Sequence, residues 1–358
     1  MSNLPAEDAG RLSIPTSLFD YELPSELIAQ QPAEPRDSSR LLVLDRATGT
    51  LAHTSFSNIG RWLRAGDLLV VNRSRVVPAR LAARRRPGGG AAEILLLRRL
   101  GPGRWETLVR PGRRLPPGSQ VDLGHEIVAE IVELAAADGG RVIQFSGPHT
   151  DIDQAVLECG RLPLPPYIQS FVGDPERYQT VYGDEPGSAA APTAGLHFTD
   201  TLLASLQVAG IGLATVTLHV GLDTFRPVKV DDLANHEIHR EFCTLPPETA
   251  SAIASAKARG GRVIAVGTTT VRTLESAAAA SPEGQPVTAW TGNTDLFIVP
   301  GFRYRLVDAM VTNFHLPRST LLALVSAFSS RETLLAAYAE AIRERYRFFS
   351  FGDAMLIL

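Results

Sequence analysis

The chain has 358 residues, of which 44% are hydrophobic and 20% charged, and its formal net charge is −3. This composition is typical of a soluble globular protein with one large domain or two ordinary ones. A membrane-spanning protein is excluded because the most apolar run covers only residues 321–328. The only cysteines, Cys159 and Cys243, argue against a disulfide framework or a cysteine zinc site. The first residues do not form a secretory signal, so we expect a cytoplasmic protein.

The arginines are unevenly distributed along the chain. Twelve of them lie in the window 73–114 with only two acidic residues, so this window carries +10 and the remainder of the chain −13. A coding bias could explain why the chain has only two lysines, but it would not cluster the arginines. A local excess of this size is what a phosphate-backbone partner needs. We therefore predict contact with a nucleic acid through this window.

The first 150 residues change character near residue 67. Before it, residues 1–16 form a polar lead, residues 41–45 are predicted to form a buried strand, and residues 56–63 a short helix. Residues 67–150 contain six or seven short β-like runs, separated by turns rich in Gly, Pro and Arg. This spacing predicts a small all-β barrel or sandwich, and the same block holds the arginine cluster.

From residue 151 the pattern alternates between helices and strands. Helices are predicted at 152–160, 202–209, 247–259, 270–280, 321–328 and 332–346. Strands are predicted at 212–220, 263–266, 294–298, 310–312 and 348–351. This alternation predicts an α/β layer or barrel with a largely parallel sheet.

Residues 187–198 form the most unusual stretch of the chain. Small residues, Gly and Pro interrupt it too often for an ordinary strand or helix. Such a segment lets the backbone approach a ligand closely, and it presents Thr193 and His197. His219 lies at the end of the next predicted strand, where open sheets and barrels place their sites.

Two later stretches repeat this arrangement. Residues 267–275 follow a buried strand and open a helix, which gives backbone donors for an anion with Arg272 and Glu275 one turn further on. The last stretch follows another strand and supplies Asn313 and His315. Several histidines in polar, turn-rich contexts predict an enzyme site.

The pair His236 and His239, with Glu241 nearby, is the one candidate metal site in the sequence. The His-Glu-x-x-His spacing of zinc proteases is absent, so we predict no metal there. A polar substrate-facing segment or a hydrogen-bonded pair is favoured instead. A Walker loop, a Gly-x-Gly-x-x-Gly turn and a Gly-x-Ser-x-Gly elbow are also absent, so the usual nucleotide folds are unsupported.

Ten sequence blocks in a fixed order carry a resemblance to a known family. They lie at residues 36–41, 72–81, 162–168, 177–182, 190–198, 219–228, 236–241, 267–275, 312–328 and 346–355. With these blocks the chain resembles the S-adenosylmethionine:tRNA ribosyltransferase-isomerases of queuosine biosynthesis, from about residue 19 to residue 355.

The resemblance implies an α/β fold: an α/β-barrel-like main domain, residues 1–66 and 151–358, with a small all-β barrel, residues 67–150, inserted in it. It implies transfer and isomerisation of the ribosyl group of S-adenosylmethionine onto 7-aminomethyl-7-deazaguanine at the wobble position of tRNA. The products would be epoxyqueuosine-tRNA, adenine and methionine. S-adenosylmethionine would be a co-substrate, with no other cofactor and no metal. The partner would be a tRNA with a GUN-type anticodon, bound through its anticodon stem-loop by a monomeric enzyme.

The roles of individual residues follow as hypotheses from this resemblance. The catalytic set is His197, His219, His315 and Glu275, with the proton transfers assigned to the histidines in no fixed order. Arg272 is assigned to the methionine carboxylate, and Glu275 or Glu241 to the substrate amine. Further substrate contacts are assigned to Thr193, Thr269, Asn313, His236 and His239. The RNA phosphates are assigned to Arg80, Arg84, Arg85 and Arg86.

The chain departs from the usual family pattern at Asp223, at Arg73 with Ser74, and at Ile238 with Arg240. Asp223 adds a charge near the expected site, which supports a paralogous enzyme that uses the same donor on a small molecule. A non-catalytic RNA-binding protein is the other alternative. The +10 window disfavours the small-molecule alternative, and the retained histidines disfavour the non-catalytic one.

Overall fold

A computed structural model describes residues 13–135, 140–221, 228–238 and 240–358. In chain order, its strands are Arg40–Leu44 (β1), Leu51–Ser55 (β2), Leu68–Asn72 (β3), Ser74–Val76 (β4), Arg80–Arg86 (β5), Ala91–Gly101 (β6), Arg104–Arg110 (β7), Gln120–Gly124 (β8), Ile127–Leu134 (β9), Gly140–Ser146 (β10), Gly160–Arg161 (β11), Glu185–Ser188 (β12), Gly212–Leu218 (β13), Glu241–Leu245 (β14), Val263–Val266 (β15), Trp290–Thr294 (β16), Ala309–Asn313 (β17) and Ala354–Ile357 (β18). The helices are Ile152–Glu158 (α1), Asp200–Val208 (α2), Pro247–Ala258 (α3), Thr268–Ala280 (α4), Thr320–Ser329 (α5) and Arg331–Arg343 (α6).

The main part of the molecule is a nine-stranded mixed sheet in the order β16-β14-β13-β3-β15-β17-β18-β1-β2. Its centre, from β13 through β3 and β15 to β17, is parallel, whereas the pairings at both edges are antiparallel. The α/β class is therefore confirmed. A barrel-like closure of this sheet is not confirmed, because no pairing within the described ranges joins β16 to β2.

Both faces of this sheet are buried, which explains why its central strands are almost continuously apolar. Successive side chains of a strand point to opposite faces. Val263 and Ala265 of β15 therefore pack with helices α3 to α6 on one face, while Ile264 and Val266 pack with α2 on the other. The alternation fixes the register of the sheet, because a slip of one residue would exchange the two cores.

The inserted part is a closed antiparallel barrel. Strands β5, β6, β7, β10, β9 and β8 pair in that order, and β8 pairs back to β5. Alternate residues such as Leu81, Ile94 and Ile131 fill its interior. The predicted all-β barrel is thus confirmed. Strand pairing places the change of sheet between β4 and β5, later than the predicted boundary at residue 67, and α1 packs on the barrel beyond residue 150.

The chain enters and leaves the barrel at one place, which we call the neck (residues 78–81 and 160–161). Here Gly160 pairs with Leu81 and Arg161 with Arg80. A Cβ at Gly160 would lie 1.7 Å from the carbonyl oxygen of Pro78, so only glycine allows the two chain segments to approach so closely.

Most helices were predicted, since their start signals are local. Asp151, Thr199 and Ser319 each accept a hydrogen bond from a backbone amide in the first turn of the following helix. Two strand predictions were wrong: Thr294 ends β16 and residues 295–298 follow it outside any strand, and the last strand is β18 instead of residues 348–351. Among the helices of the described residues, none combines the length and apolar character that crossing a bilayer needs.

Candidate active site

A cleft of about 520 Å³ opens at the edge where the parallel central strands end. Four short stretches line it, at residues 191–194, 267–269, 312–316 and 349–350, together with Tyr167, Val220 and Leu321. Three of the four are the unusual polar stretches of the sequence. The cleft therefore brings together Thr193, Thr269, Asn313 and His315, and the last three lie at or just after the ends of β15 and β17.

Asn72, at the end of β3, connects the chain segments that meet at this edge of the sheet. It is fully buried, and its Nδ2 donates to the Leu218 carbonyl at 3.0 Å and to Oγ1 of Thr269 at 3.3 Å. Its Oδ1 accepts from the backbone amides of Leu218 and Ser74, each at 3.1 Å. One amide side chain thus holds the ends of β3 and β13 and the first turn of α4 in a single arrangement.

A chain of hydrogen bonds runs from the interior to the cleft. Oγ of Ser39 lies 2.7 Å from Nδ1 of His197, and Nδ2 of Asn313 donates to Nε2 of His197 at 3.1 Å. Oγ1 of Thr193 then donates to Oδ1 of Asn313 at 2.9 Å. Because Nε2 of His197 accepts, its Nδ1 carries the proton and donates to Ser39. The amide of Asn313 is therefore held in one orientation.

His197 stands behind this cleft and does not line it. It is 4% exposed and stacks on Phe56 with ring centroids 5.0 Å apart. Burial, and to a smaller extent the positive charges of Arg347 and Arg36, lower the pKa of His197 to about 3. The imidazole is neutral at physiological pH, and its contacts suit a positioning role.

His315 is the predicted histidine that lines the cleft. Its Nε2 lies 2.7 Å from Oγ1 of Thr312, and its backbone amide donates to the hydroxyl of Tyr338 at 2.8 Å. Burial lowers the pKa of His315 to about 3. A neutral imidazole with a fixed ring plane therefore faces the cleft.

His219 is half-buried and lies one residue before Val220, which lines the cleft. Burial lowers the pKa of His219, and its Nδ1 has no hydrogen-bond partner among the described residues. The ring fits under Gly187, where a Cβ would lie 2.8 Å from Cε1 of the imidazole. Gly187 also has a φ of +136°, so both space and backbone conformation require glycine there.

A second cleft of about 380 Å³ adjoins the first and shares Thr268, Thr269 and Leu321 with it. Its charged residues are Arg272 and Glu241, which form an ion pair between side chains that are 6% and 2% exposed. Arg272 also donates to the Leu296 carbonyl at 3.2 Å, and Glu241 accepts from the Gly221 amide at 3.0 Å. These contacts hold both charges in place.

The other predicted site residues are not gathered in the clefts. Glu275 is 1% exposed, and its carboxylate accepts from the backbone amides of Arg305, Leu306 and Val307 at 2.8 to 3.0 Å. These contacts hold the loop before β17. His236 packs edge-on against Phe297, which lines the second cleft. His239 and Asp223 lie outside the described residues, and in the described part no group of three His, Cys, Asp or Glu side chains could hold a metal ion.

Sequence reasoning missed Tyr167 and Ser350 as residues that line the cleft. Their hydroxyl oxygens are 2.7 Å apart, and both residues line the first cleft. They come from an extended proline-rich connector and from the loop before β18, which carry no motif of their own. Their positions within two of the ten family blocks were the one available signal.

The four arginines assigned to RNA lie on β5 of the barrel. Arg86 pairs with Asp122, and Arg80 lies 4.0 Å from a carboxylate oxygen of Glu93. Within the described ranges, the Arg84 side chain donates to the Gly89 carbonyl at 3.4 Å. Nε of Arg85 is buried without a hydrogen-bond partner among the described residues. The four side chains therefore differ in how readily they can bind another anion.

An α/β enzyme with an inserted β-barrel is the class of protein that this fold and these clefts define. The family model described as "Queuosine biosynthesis protein" matches residues 16–357. The chain therefore belongs to the queuosine biosynthesis protein family.

Individual relatives are similar over nearly their whole length. A protein of Heliobacterium modesticaldum named S-adenosylmethionine:tRNA ribosyltransferase-isomerase is 57% identical over 96% of this chain and 99% of its own. A protein of the same name from Symbiobacterium thermophilum is 53% identical over 95% of this chain and 98% of its own. The crystal structure of an S-adenosylmethionine tRNA ribosyltransferase from Thermotoga maritima is 44% identical, covers 96% of this chain and 100% of its own, and gives a TM-score of 0.56.

Proposed function

We propose that this chain transfers and isomerises the ribosyl group of S-adenosylmethionine onto 7-aminomethyl-7-deazaguanine at the wobble position of tRNA. The products are epoxyqueuosine-tRNA, adenine and methionine. The observation that carries the proposal is the pair of adjoining clefts at the strand ends, one lined by hydroxyls, an amide and a neutral histidine and the other by a buried ion pair. The names of its full-length relatives give the reaction class.

The second cleft suits the methionine end of the donor. An amino acid carries an ammonium and a carboxylate on one carbon, and Glu241 and Arg272 present the two opposite charges side by side. Arg272 would attract the carboxylate by its charge and a charge-assisted hydrogen bond, and Glu241 would accept from the amine. Glu241 suits this role better than Glu275, because the carboxylate of Glu275 accepts hydrogen bonds from three backbone amides.

The first cleft suits the ribosyl and adenine parts of the donor. Thr193, Thr269 and Asn313 offer donors and acceptors to hydroxyls and to the base. The chemistry requires removal of a proton next to the sulfonium, departure of adenine and attack by a neutral amine. His315 is the histidine in position to touch the substrate, His197 acts through Asn313, and His219 stands at the margin of the cleft.

The remaining partners are also proposals. We propose that the barrel binds the anticodon stem-loop of tRNAs with GUN-type anticodons through arginine–phosphate contacts. We further propose that the enzyme acts as a monomer in the cytoplasm and needs neither a metal nor a cofactor besides the donor.

The test is a reaction with defined substrates. The purified chain is incubated with S-adenosylmethionine and an anticodon stem-loop that carries the aminomethyl-deazaguanine, and mass spectrometry follows the RNA, adenine and methionine. A mass gain on the RNA with equal release of adenine and methionine is expected. Donor cleavage without RNA modification would contradict the tRNA acceptor and favour a small-molecule acceptor. Salt-sensitive RNA binding without cleavage would favour a non-catalytic RNA-binding protein.

A further inference from the structure

The twelve arginines of the window 73–114 fall into two groups. Seven of them lie within 4.0 Å of a carboxylate: Arg73, Arg75, Arg80, Arg86, Arg98, Arg99 and Arg104. Five have no such partner among the described residues: Arg84, Arg85, Arg110, Arg113 and Arg114. The excess charge seen in the sequence is therefore largely neutralised in the fold, except at these five residues.

The barrel register places the five toward one end, with Arg110 across from Glu93 and level with Ala82 of β5. Strands β5 and β7 are both antiparallel to β6, so their carboxyl ends lie at the same end of the barrel. Arg84 and Arg85 stand near the end of β5, Arg110 is the last residue of β7, and Arg113 and Arg114 lie in the turn that follows. We call these five residues the distal rim. Four of them are exposed, and Arg85 is half-buried.

At the opposite end of the barrel, near the neck, the arginines of the window lie beside carboxylates. Arg80 lies 4.0 Å from Glu93, and its backbone pairs with that of Arg161. Arg98 and Arg104 lie at the same end and contact Glu106 and Glu133 at 3.0 and 2.8 Å. Strand β5 runs from this end to the distal rim, and a strand of its length spans about 20 Å.

This separation decides what kind of anion the rim fits. Arg84 and Arg85 lie about 13 to 17 Å along β5 from Arg80, on the barrel and not on the main sheet that holds the clefts. An arginine already paired with a carboxylate must exchange one anion for another, whereas an unpaired one gains a contact and releases counterions. The rim therefore fits an extended polyanion with phosphates at several points.

We propose that the distal rim is the phosphate-binding surface for tRNA, and that the paired arginines near the neck do not bind the backbone. The proposal rests on the RNA substrate of the proposed function and adds which face holds it. It also changes the predicted set: Arg84 and Arg85 stay, and Arg110, Arg113 and Arg114 join. Arg80 leaves because it lies at the neck, and Arg86 leaves because it is paired with Asp122, although it ends β5 on the rim side.

Two double variants with equal loss of charge test the proposal. Arg113→Gln/Arg114→Gln removes two rim charges, and Arg98→Gln/Arg104→Gln removes two paired charges from the other end. Binding of a transcript of a GUN-anticodon tRNA is measured by fluorescence anisotropy between 50 and 200 mM salt, without the donor. We expect the rim variant to bind about tenfold more weakly at 50 mM salt, and its slope of log K against log salt to fall by about 1 to 2. The matched variant should keep its affinity within about twofold of that of the unsubstituted chain. Its slope of log K against log salt should not change.

Two results would contradict the proposal that the distal rim binds tRNA. One is an unchanged slope in the rim variant, and in a second pair, Arg84→Gln/Arg110→Gln, while the unsubstituted chain binds tRNA. The other is an equal loss in the rim and matched variants. Absence of tRNA binding by the unsubstituted chain would instead contradict the RNA substrate itself, and the rim with it. Thermal melting curves that superpose with the unsubstituted chain confirm that each variant is folded.

Discussion

Arg272–Glu241 in the main sheet and Arg98–Glu106 on the barrel are the same chemical contact in two different surroundings. The first pair is almost fully buried and makes further hydrogen bonds to the backbone. In the second pair the arginine side chain is 62% exposed. A buried pair that loses one partner leaves an uncompensated charge, whereas an exposed pair is replaced by water. The main part therefore holds its charges in a buried, fixed pair, whereas the barrel holds them in exposed pairs that contribute little to stability.

The largest effect is expected at the buried pair. Arg272→Met leaves the Glu241 carboxylate buried without its partner, which should lower the free energy of unfolding by about 3–5 kcal/mol. Urea unfolding at pH 7 measures this loss. The double variant Arg272→Met/Glu241→Gln removes both charges and should recover most of the stability but no turnover. If Arg272→Met loses no more stability than Arg98→Gln, the buried and the exposed pair do not differ in their contribution to stability.

The next effect concerns the hydrogen-bonded chain that ends at Thr193. His197→Gln and Asn313→Ala should each lower kcat by roughly 10- to 100-fold, because Asn313 loses its fixed orientation or its amide. The double variant should be no slower than the slower single variant, since the two residues act as a unit. The pH dependence of kcat/KM should not change in His197→Gln, because His197 is already neutral. Multiplicative losses, or loss of an acid limb, would show that His197 transfers a proton itself.

The third prediction concerns the pH dependence of stability, to which two buried histidines of the main part contribute. The pKa values of His197 and His315 are about 3 in the folded chain and near 6.5 when unfolded. Between these values the unfolded state binds more protons, so the free energy of unfolding falls as the pH falls below about 6.5. Two such residues together contribute about 2–3 kcal/mol per pH unit. Urea midpoints at pH 7, 6 and 5 test this, and a stability that stays constant down to pH 5 would contradict it.

The smallest effect is expected for the exposed pair. Arg98→Gln should change the free energy of unfolding by less than about 1 kcal/mol, and added salt should reduce even that change. The same urea experiment at 0.05 and 0.5 M salt measures it. A loss approaching that of Arg272→Met would mean that the barrel, too, depends on fixed charge pairs.

Much of the fold was predictable because its signals are local. Apolar runs gave β1, β3, β15 and β17. Strand β14 buries Glu241 and exposes Phe242, and β2 has no fully buried residue, so the local pattern does not reveal how either strand pairs.

The site was predictable as a set of stretches but not as a set of contacts. Arg272 and Glu275 lie three residues apart on α4, which gave them similar expected roles. In the fold, Arg272 meets Glu241 of a distant strand, while Glu275 meets the backbone of the loop before β17. These partners come from tertiary packing. The same limit applies to the arginine window, since its charge count does not record which carboxylates the fold brings alongside.

The neck has a consequence for the history and the engineering of this protein. Because Pro78 and Gly160 touch, the two cut ends of the main chain would stand side by side if the barrel were excised. A turn of a few residues closes that gap without moving the central sheet. One in-frame insertion at this junction is therefore enough to add a barrel to the α/β part, and the same junction offers a place to exchange this barrel for another.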